Sequence, residues 1–254
     1  MRVKAKPAVI AVLFAFVALG QDVDRTYHFA NTDTPQGMQE IATVIRTIAD
    51  IPNLTADTTQ RTLTFHSSAG AAALADWLFN ELDKPANLPP QQTPDLAKHE
   101  YRVAGSDDDV VRVFYLTHTE TLQNLQEVAT VTRSIGGIRR LFTYNAPRAI
   151  VWRGTTDQAA LAAWLLTELD KPANPTDSAV HEFHMAGTPE NVVRVFYLPH
   201  SGTLQHFQEI ATFVRSTTQI RRAFTYNAPR ALTLRGTADQ IAQANQLIQE
   251  RDQR

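Results

Sequence analysis

The spacing of apolar and polar residues along this chain marks out short elements. Val111–Leu116 is a β-branched and aromatic run, which predicts a strand. Thr121 follows as an N-cap, and Leu122, Leu125, Val128, Ala129, Thr132 and Ile135 fall at the three-four spacing of an amphipathic helix. Two further strands, Ile138–Tyr144 and Ala149–Arg153, meet at Asn145-Ala-Pro-Arg148, where asparagine and proline favour a turn. Thr155-Thr-Asp-Gln158 fits a capping box and opens a second helix with Ala162, Leu165, Leu166 and Leu169 on one face. The order is β-α-β-β-α, an α+β unit in which two helices pack on one face of a small sheet.

The unit recurs. Val110-Val-Arg-Val-Phe-Tyr-Leu116 returns as Val192–Leu198, and Phe142-Thr-Tyr-Asn-Ala-Pro-Arg-Ala149 returns as Phe224–Ala231, both at an offset of 82. Without gaps, His99–Asp170 and His181–Asp252 share 42 identities in 72 positions. A diverged copy lies upstream at an offset of 87, where Gln39–Val44 matches Gln126–Val131 and Glu81–Asn87 matches Glu168–Asn174. In that copy Thr34-Pro35 supplies cap and first-turn proline. Copies two and three add a leading strand, His99–Val103 and His181–Met185, expected beside the first. The segments between copies are rich in proline and asparagine, which predicts three beads on short semi-rigid strings. The expected division is a leader over 1–20, repeats over 21–88, 99–173 and 181–254, and linkers over 89–98 and 174–180.

Composition narrows the function. Hydrophobic residues make up 43% and charged residues 20%, as in a globular protein. Arg2, Lys4 and Lys6 precede an apolar run from Ala8 to Leu19 that ends in Ala18-Leu19-Gly20, which reads as a signal peptide cleaved near Gly20. The run is about 12 residues, too short to cross a bilayer. Export to the periplasm or beyond is therefore expected, with membrane association only through partners. Without the three leader cations the chain carries 21 basic against 26 acidic residues, a net charge of about −5. That argues against nucleic acid as a partner. There are no cysteines, hence no disulfide, thiolate metal site or cysteine nucleophile.

Candidate chemistry is sparse. His181-Glu-Phe-His184 has the wrong spacing for a helical zinc pair and lies on a strand, whose alternation separates the two imidazoles. His118 and His200 precede the first helices and suit loop or cap positions, although Ser201 sits beside His200. The arginines recur more suggestively: Arg112, Arg139, Arg140, Arg148 and Arg153 return as Arg194, Arg221, Arg222, Arg230 and Arg235, and the first copy keeps Arg61 in the place of Arg148. With Ile150 and Trp152 turned to the helices, Arg153 and Arg235 are expected on the open sheet face. Solvation of that face is one reading; docking of an acidic surface through the planar guanidinium is the other. Tyr144 and Tyr226, just before the Asn-Ala-Pro-Arg turns, suit an interface. The candidate interaction residues are thus Arg112, Tyr144, Arg148, Arg153, Arg194, Tyr226, Arg230 and Arg235.

The element order, together with Ala231-Leu-Thr-Leu-Arg-Gly-Thr-Ala-Asp-Gln-Ile-Ala-Gln-Ala-Asn-Gln-Leu-Ile-Gln-Glu250, resembles the periplasmic N-domains of bacterial secretins, the outer-membrane rings of secretion and type IV pilus systems. The resemblance covers all three repeats. It implies a non-catalytic module, without cofactor or metal, that associates with itself or with an envelope secretion or pilus protein. A secretin continues into a pore-forming domain, and this sequence stops at Arg254, so pore formation is not carried over. The competing expectation is an exported ligand-binding or hydrolytic protein with a cleft between repeats, using His118, His200 and the arginines.

Overall fold

The computed structural model describes residues 22–84, 99–172 and 180–252. The expected leader, the 89–98 linker and positions 174–179 of the second linker lie outside the described residues. The first repeat contains β1 (Asp22–His28), α1 (Pro35–Ile48), β2 (Thr55–Asp57), β3 (Thr62–Ser68) and α2 (Ala69–Leu82). The second contains β4 (Glu100–Arg102), β5 (Val110–Tyr115), α3 (Leu122–Gly136), β6 (Arg140–Tyr144), β7 (Ala149–Gly154) and α4 (Thr156–Leu169). The third contains β8 (His181–His184), β9 (Val192–Tyr197), α5 (Leu204–Thr218), β10 (Arg222–Tyr226), β11 (Ala231–Gly236) and α6 (Ala238–Arg251). The fold is α+β, with three small antiparallel sheets ordered β1-β3-β2, β4-β5-β7-β6 and β8-β9-β11-β10. The leading strands β4 and β8 pair beside β5 and β9, as the sequence predicts.

Local chemistry sets the helix limits. Thr34, Thr121 and Thr203 each accept a backbone N–H with the side-chain oxygen, and Thr155 and Thr237 form full capping boxes with Gln158 and Gln240. At the end of the first helix of each repeat, Asp50, Gly137 and Gln219 occupy one register with φ of 57°, 65° and 57°. This left-handed residue terminates the helix.

The three sheets and three helix pairs form one continuous stack. Val111, Val113, Ala149 and Val151, on the face of the second sheet turned away from its own helices, share a core with Ile41, Ile45 and Leu78 of the first repeat. Val193, Val195 and Ala231 share the core of the second repeat in the same way. A buried valine of this kind contributes about 1.5–3 kcal/mol relative to exposure. Separate beads with an open sheet face are therefore replaced by alternating layers, sheet on helices on sheet. Both faces of β7 and β11 are buried throughout.

The ends of the stack carry different residues. Asp24, Thr26, Thr64 and His66 occupy the registers of Val111, Val113, Val151 and Arg153, and their face of the first sheet is exposed. At the other end Gln243, Gln246 and Arg251 replace Leu161, Trp164 and Leu169 on the outer side of α6 and are exposed. Polar outer faces on terminal units are what a stacked array requires.

Candidate functional site

The recurring polar side chains converge on the two junctions between repeats. Each junction seats the β-β hairpin of one repeat on the first helix of the preceding one. At the first, Asn145 donates its backbone N–H to Glu40 Oε2 (2.9 Å) and its side-chain amide to Glu40 Oε1 (2.6 Å). At the second, Asn227 makes the same pair to Glu127, at 2.8 and 2.9 Å. Charge-assisted bonds of this kind are stronger than neutral ones, and two together fix orientation as well as position.

The hairpin tyrosines lie alongside. The Tyr144 hydroxyl stands 3.1 Å from Thr32 Oγ1, and Tyr226 pairs with Thr119. Burial raises the pKa of both phenols, that of Tyr226 to about 12, so both remain neutral at ordinary pH.

Arg153 and Arg235 are each only 8% exposed, which corrects their expected place on an open face. The Arg153 guanidinium donates to the Ile48 carbonyl at 2.9 Å, and Arg235 donates to the Ile135 carbonyl at 2.9 Å. These carbonyls lie at the C-terminal ends of α1 and α3, where the helix dipole favours a cation. The surroundings then diverge. Arg153 also reaches Asp50 Oδ2 (3.2 Å) and Asp108 Oδ1 (3.1 Å). Burial works to raise the Asp108 pKa, but the Ser106 hydroxyl and the charges of Arg153 and Arg140 outweigh it and leave the carboxyl below its ordinary value. Arg235 has Gly137 in the register of Asp50, and burial together with Arg222 lowers its pKa.

The remaining candidates serve within repeats. Arg112 pairs with Glu100 across β4 and β5, and Arg194 stands 3.3 Å from Glu182 across β8 and β9. Arg25 holds the Arg112 register in the first repeat and lies 3.6 Å from Asp76. Arg61, Arg148 and Arg230 close the hairpin turns with φ of 55°, 52° and 51°, and their carbonyls accept the N–H groups of Phe29, Leu116 and Leu198 at 2.9, 2.9 and 3.1 Å.

Several junction residues escaped the sequence reading: Glu40 and Glu127, and the pairs His99–Glu81 (2.7 Å) and His181–Glu168 (2.8 Å). Tyr115 and Tyr197 likewise donate to the carbonyls of Glu81 and Glu168. Their signal was present, because each glutamate recurs in register across copies. The histidines weighed for catalysis sit in loops. His118 donates its backbone N–H to Asp170 Oδ1 (2.8 Å), and His200 Nδ1 stands 3.4 Å from Asp252 Oδ2. Ser201, 2% exposed, donates its hydroxyl to the Leu198 carbonyl at 2.9 Å. Among the described residues, no helix is long and apolar enough to cross a membrane.

The geometry defines a tandem array of α+β modules joined by repeated polar clasps. No family model matches the chain, and no curated protein matches it. Among solved structures it is similar to the N-terminal domains of secretins. Aeromonas hydrophila ExeD matches at 13% identity over 91% of this chain and 41% of that one, with a TM-score of 0.21. The N-terminal domain of the secretin XcpQ from Pseudomonas aeruginosa matches at 14% identity over 60% and 64%, with a TM-score of 0.24. A structure described as XcpQN012 matches at 13% identity over 92% and 100%, with a TM-score of 0.28. The chain thus spans about two fifths of the length of ExeD.

Proposed function

We propose that this chain is an exported, non-catalytic protein–protein interaction module that acts in assembly or docking within a bacterial cell-envelope secretion or pilus system. The observation that carries the reading is the repetition of one docking geometry. Two junctions use the same glutamate, asparagine, tyrosine and arginine positions, so the polar residues that distinguish this chain are committed to holding modules together. The residues weighed for hydrolysis are likewise committed. The Ser201 hydroxyl is bonded to a backbone carbonyl rather than to His200. The partner is a protein, either a further copy or an envelope component, and the activity calls for no cofactor or nucleic acid.

The test is fractionation and cross-linking of the epitope-tagged chain in its source bacterium. It is expected in the periplasmic fraction, cross-linked to a subunit of a secretion or pilus complex. Recovery from the cytoplasm, or turnover of an ester or peptide substrate by the purified chain that is lost in His200→Ala, would refute the reading.

A further inference from the structure

The third helix layer repeats half of the docking surface that the first two layers use. Gln36, Gln123 and Gln205 each hold a glutamate four residues on, with Nε2 donating to Oε1 of Glu40 (2.8 Å), Glu127 (3.0 Å) and Glu209 (2.9 Å). Glu40 and Glu127 then receive an asparagine hairpin. Glu209 has the same partner and the same place on its helix, yet its side chain is 62% exposed, and among the described residues only His206 Nδ1, 3.8 Å away, adds to that contact. Beside it runs a groove lined by Gln205, Gln208, Thr212, Phe213 and Ser216. Phe213 occupies the register of Val44 and Val131, which are buried where the next repeat packs. Here the Arg251 guanidinium lies over the ring, 3.5 Å from its centroid.

We propose that this outer face of α5 docks the asparagine hairpin of a β-α-β-β-α module carried on a different protein chain, with Glu209 clasping the turn as Glu40 and Glu127 do. The inference deepens the reading of the chain as an interaction module and rests on it. Continuity with the two internal junctions fixes the occupant's chemistry: a backbone N–H and a side-chain amide for the carboxylate, and an apolar residue for Phe213. The α6 half sets a second requirement. Gln243 and Gln246 replace Leu161 and Trp164, so the occupant's outer strands must be polar where β8 and β9 are apolar. A second copy of this chain does not fit. Its first hairpin has Asp57 and Thr58 in the places of Tyr144 and Asn145, and its outer sheet face carries Asp22 and Asp24. Stacking it on α5 would bring Asp57 towards Glu209 and take the exposed carboxylates of Asp22 and Asp24 out of water.

The probe is a synthetic hairpin with the sequence of residues 221–236, stapled by a cross-strand disulfide, dye-labelled and titrated into the full chain by fluorescence anisotropy. Saturable binding is expected. Glu209→Ala in the chain should weaken it about tenfold or more, Asn227→Ala in the peptide should weaken it less because the backbone N–H remains, and adding Asn227→Ala to Glu209→Ala should weaken it no further. No binding, or binding undiminished by Glu209→Ala in a chain with unaltered circular dichroism, overturns the proposal. Sedimentation of the full chain provides the second arm. Self-association that Glu209→Ala abolishes would assign the face to a second copy and also overturn it. Neither result bears on cross-linking to a secretion or pilus subunit, which tests the broader function separately.

Discussion

Replacing Arg153 with alanine should destabilise the chain by about 2–3 kcal/mol, and the structure says why the figure falls there. The side chain donates to the Ile48 carbonyl (2.9 Å), Asp50 Oδ2 (3.2 Å), the Asp108 carbonyl (3.0 Å), Asp108 Oδ1 (3.1 Å) and Ser106 Oγ (3.2 Å). Removing one partner of a buried ion pair typically costs about 3–5 kcal/mol, because the other charge is left without compensation. Here the carboxylates are partly solvated, Asp50 being 56% and Asp108 35% exposed, and Arg140 still stands 2.7 Å from Asp50. Screening by water and the retained arginine bring the expectation down. Arg235→Ala provides the internal control. It removes bonds to only two carbonyls, Ile135 at 2.9 Å and Glu190 at 3.1 Å, and relieves repulsion from Arg222, so about 1 kcal/mol is expected. The assay is urea denaturation with the slope unchanged, so that the midpoint reports stability alone. If Arg153→Ala costs less than about 0.5 kcal/mol, or no more than Arg235→Ala, the carboxylate cluster does not hold the first junction.

Further expectations follow from the same contacts. Exchanging residues between equivalent registers separates a buried sheet face from a solvated one: Val111→Asp should cost about 3 kcal/mol or more, and Asp24→Val, at a side chain 92% exposed, less than about 0.5 kcal/mol in chemical denaturation. Acidification should weaken the fold through Glu100 and Asp108. Burial acts to raise both carboxyls, but the hydrogen bonds and charges around them win, Arg112 and Arg102 at Glu100, Ser106 and the arginines at Asp108, and both pKa values end lower. Their stabilisation is present above the unfolded carboxylate pKa of about 4 and disappears as pH falls through the depressed folded values. Denaturation midpoints measured from neutral pH into the acid range should therefore fall, and fall less in Asp108→Asn; a midpoint independent of pH there would count against this pairing.

Much of the fold is legible in the sequence because its signals are local. The caps at Thr34, Thr121, Thr155 and Thr237 and the hairpin at Asn145-Ala-Pro-Arg148 all follow from short-range chemistry, and the duplication registers the copies against each other. Stacking is a long-range property, and treating each sheet as one-sided left Arg153 and Arg235 on an open face. The pattern nonetheless carried it. Thr62-Leu-Thr-Phe-His66 alternates strictly, as a strand with one wet face should, whereas Ala149-Ile-Val-Trp152 and Val192–Phe196 run apolar with little alternation, as strands buried on both faces do. Glu40 and Glu127 were harder to recognise, because a glutamate on a helix surface reads as solvated until the partner supplying its hydrogen bonds is known. The recurrence of Gln-x-x-x-Glu at Gln36, Gln123 and Gln205 was the signal for them.

The claim that consecutive repeats are clasped together is tested most directly by a double-mutant cycle on Glu127 and Asn227, residues 100 positions apart that meet only if β10 is seated on α3. Stability would be measured for the parent, Glu127→Ala, Asn227→Ala and the double variant. Asn227→Ala removes the side-chain amide and leaves the backbone N–H, so the cycle reports the one charge-assisted bond from Nδ2, for which a coupling energy of about 1–2 kcal/mol is expected. Strict additivity, with a coupling near zero, would mean that the third repeat does not rest on the second, and would contradict the stacked architecture.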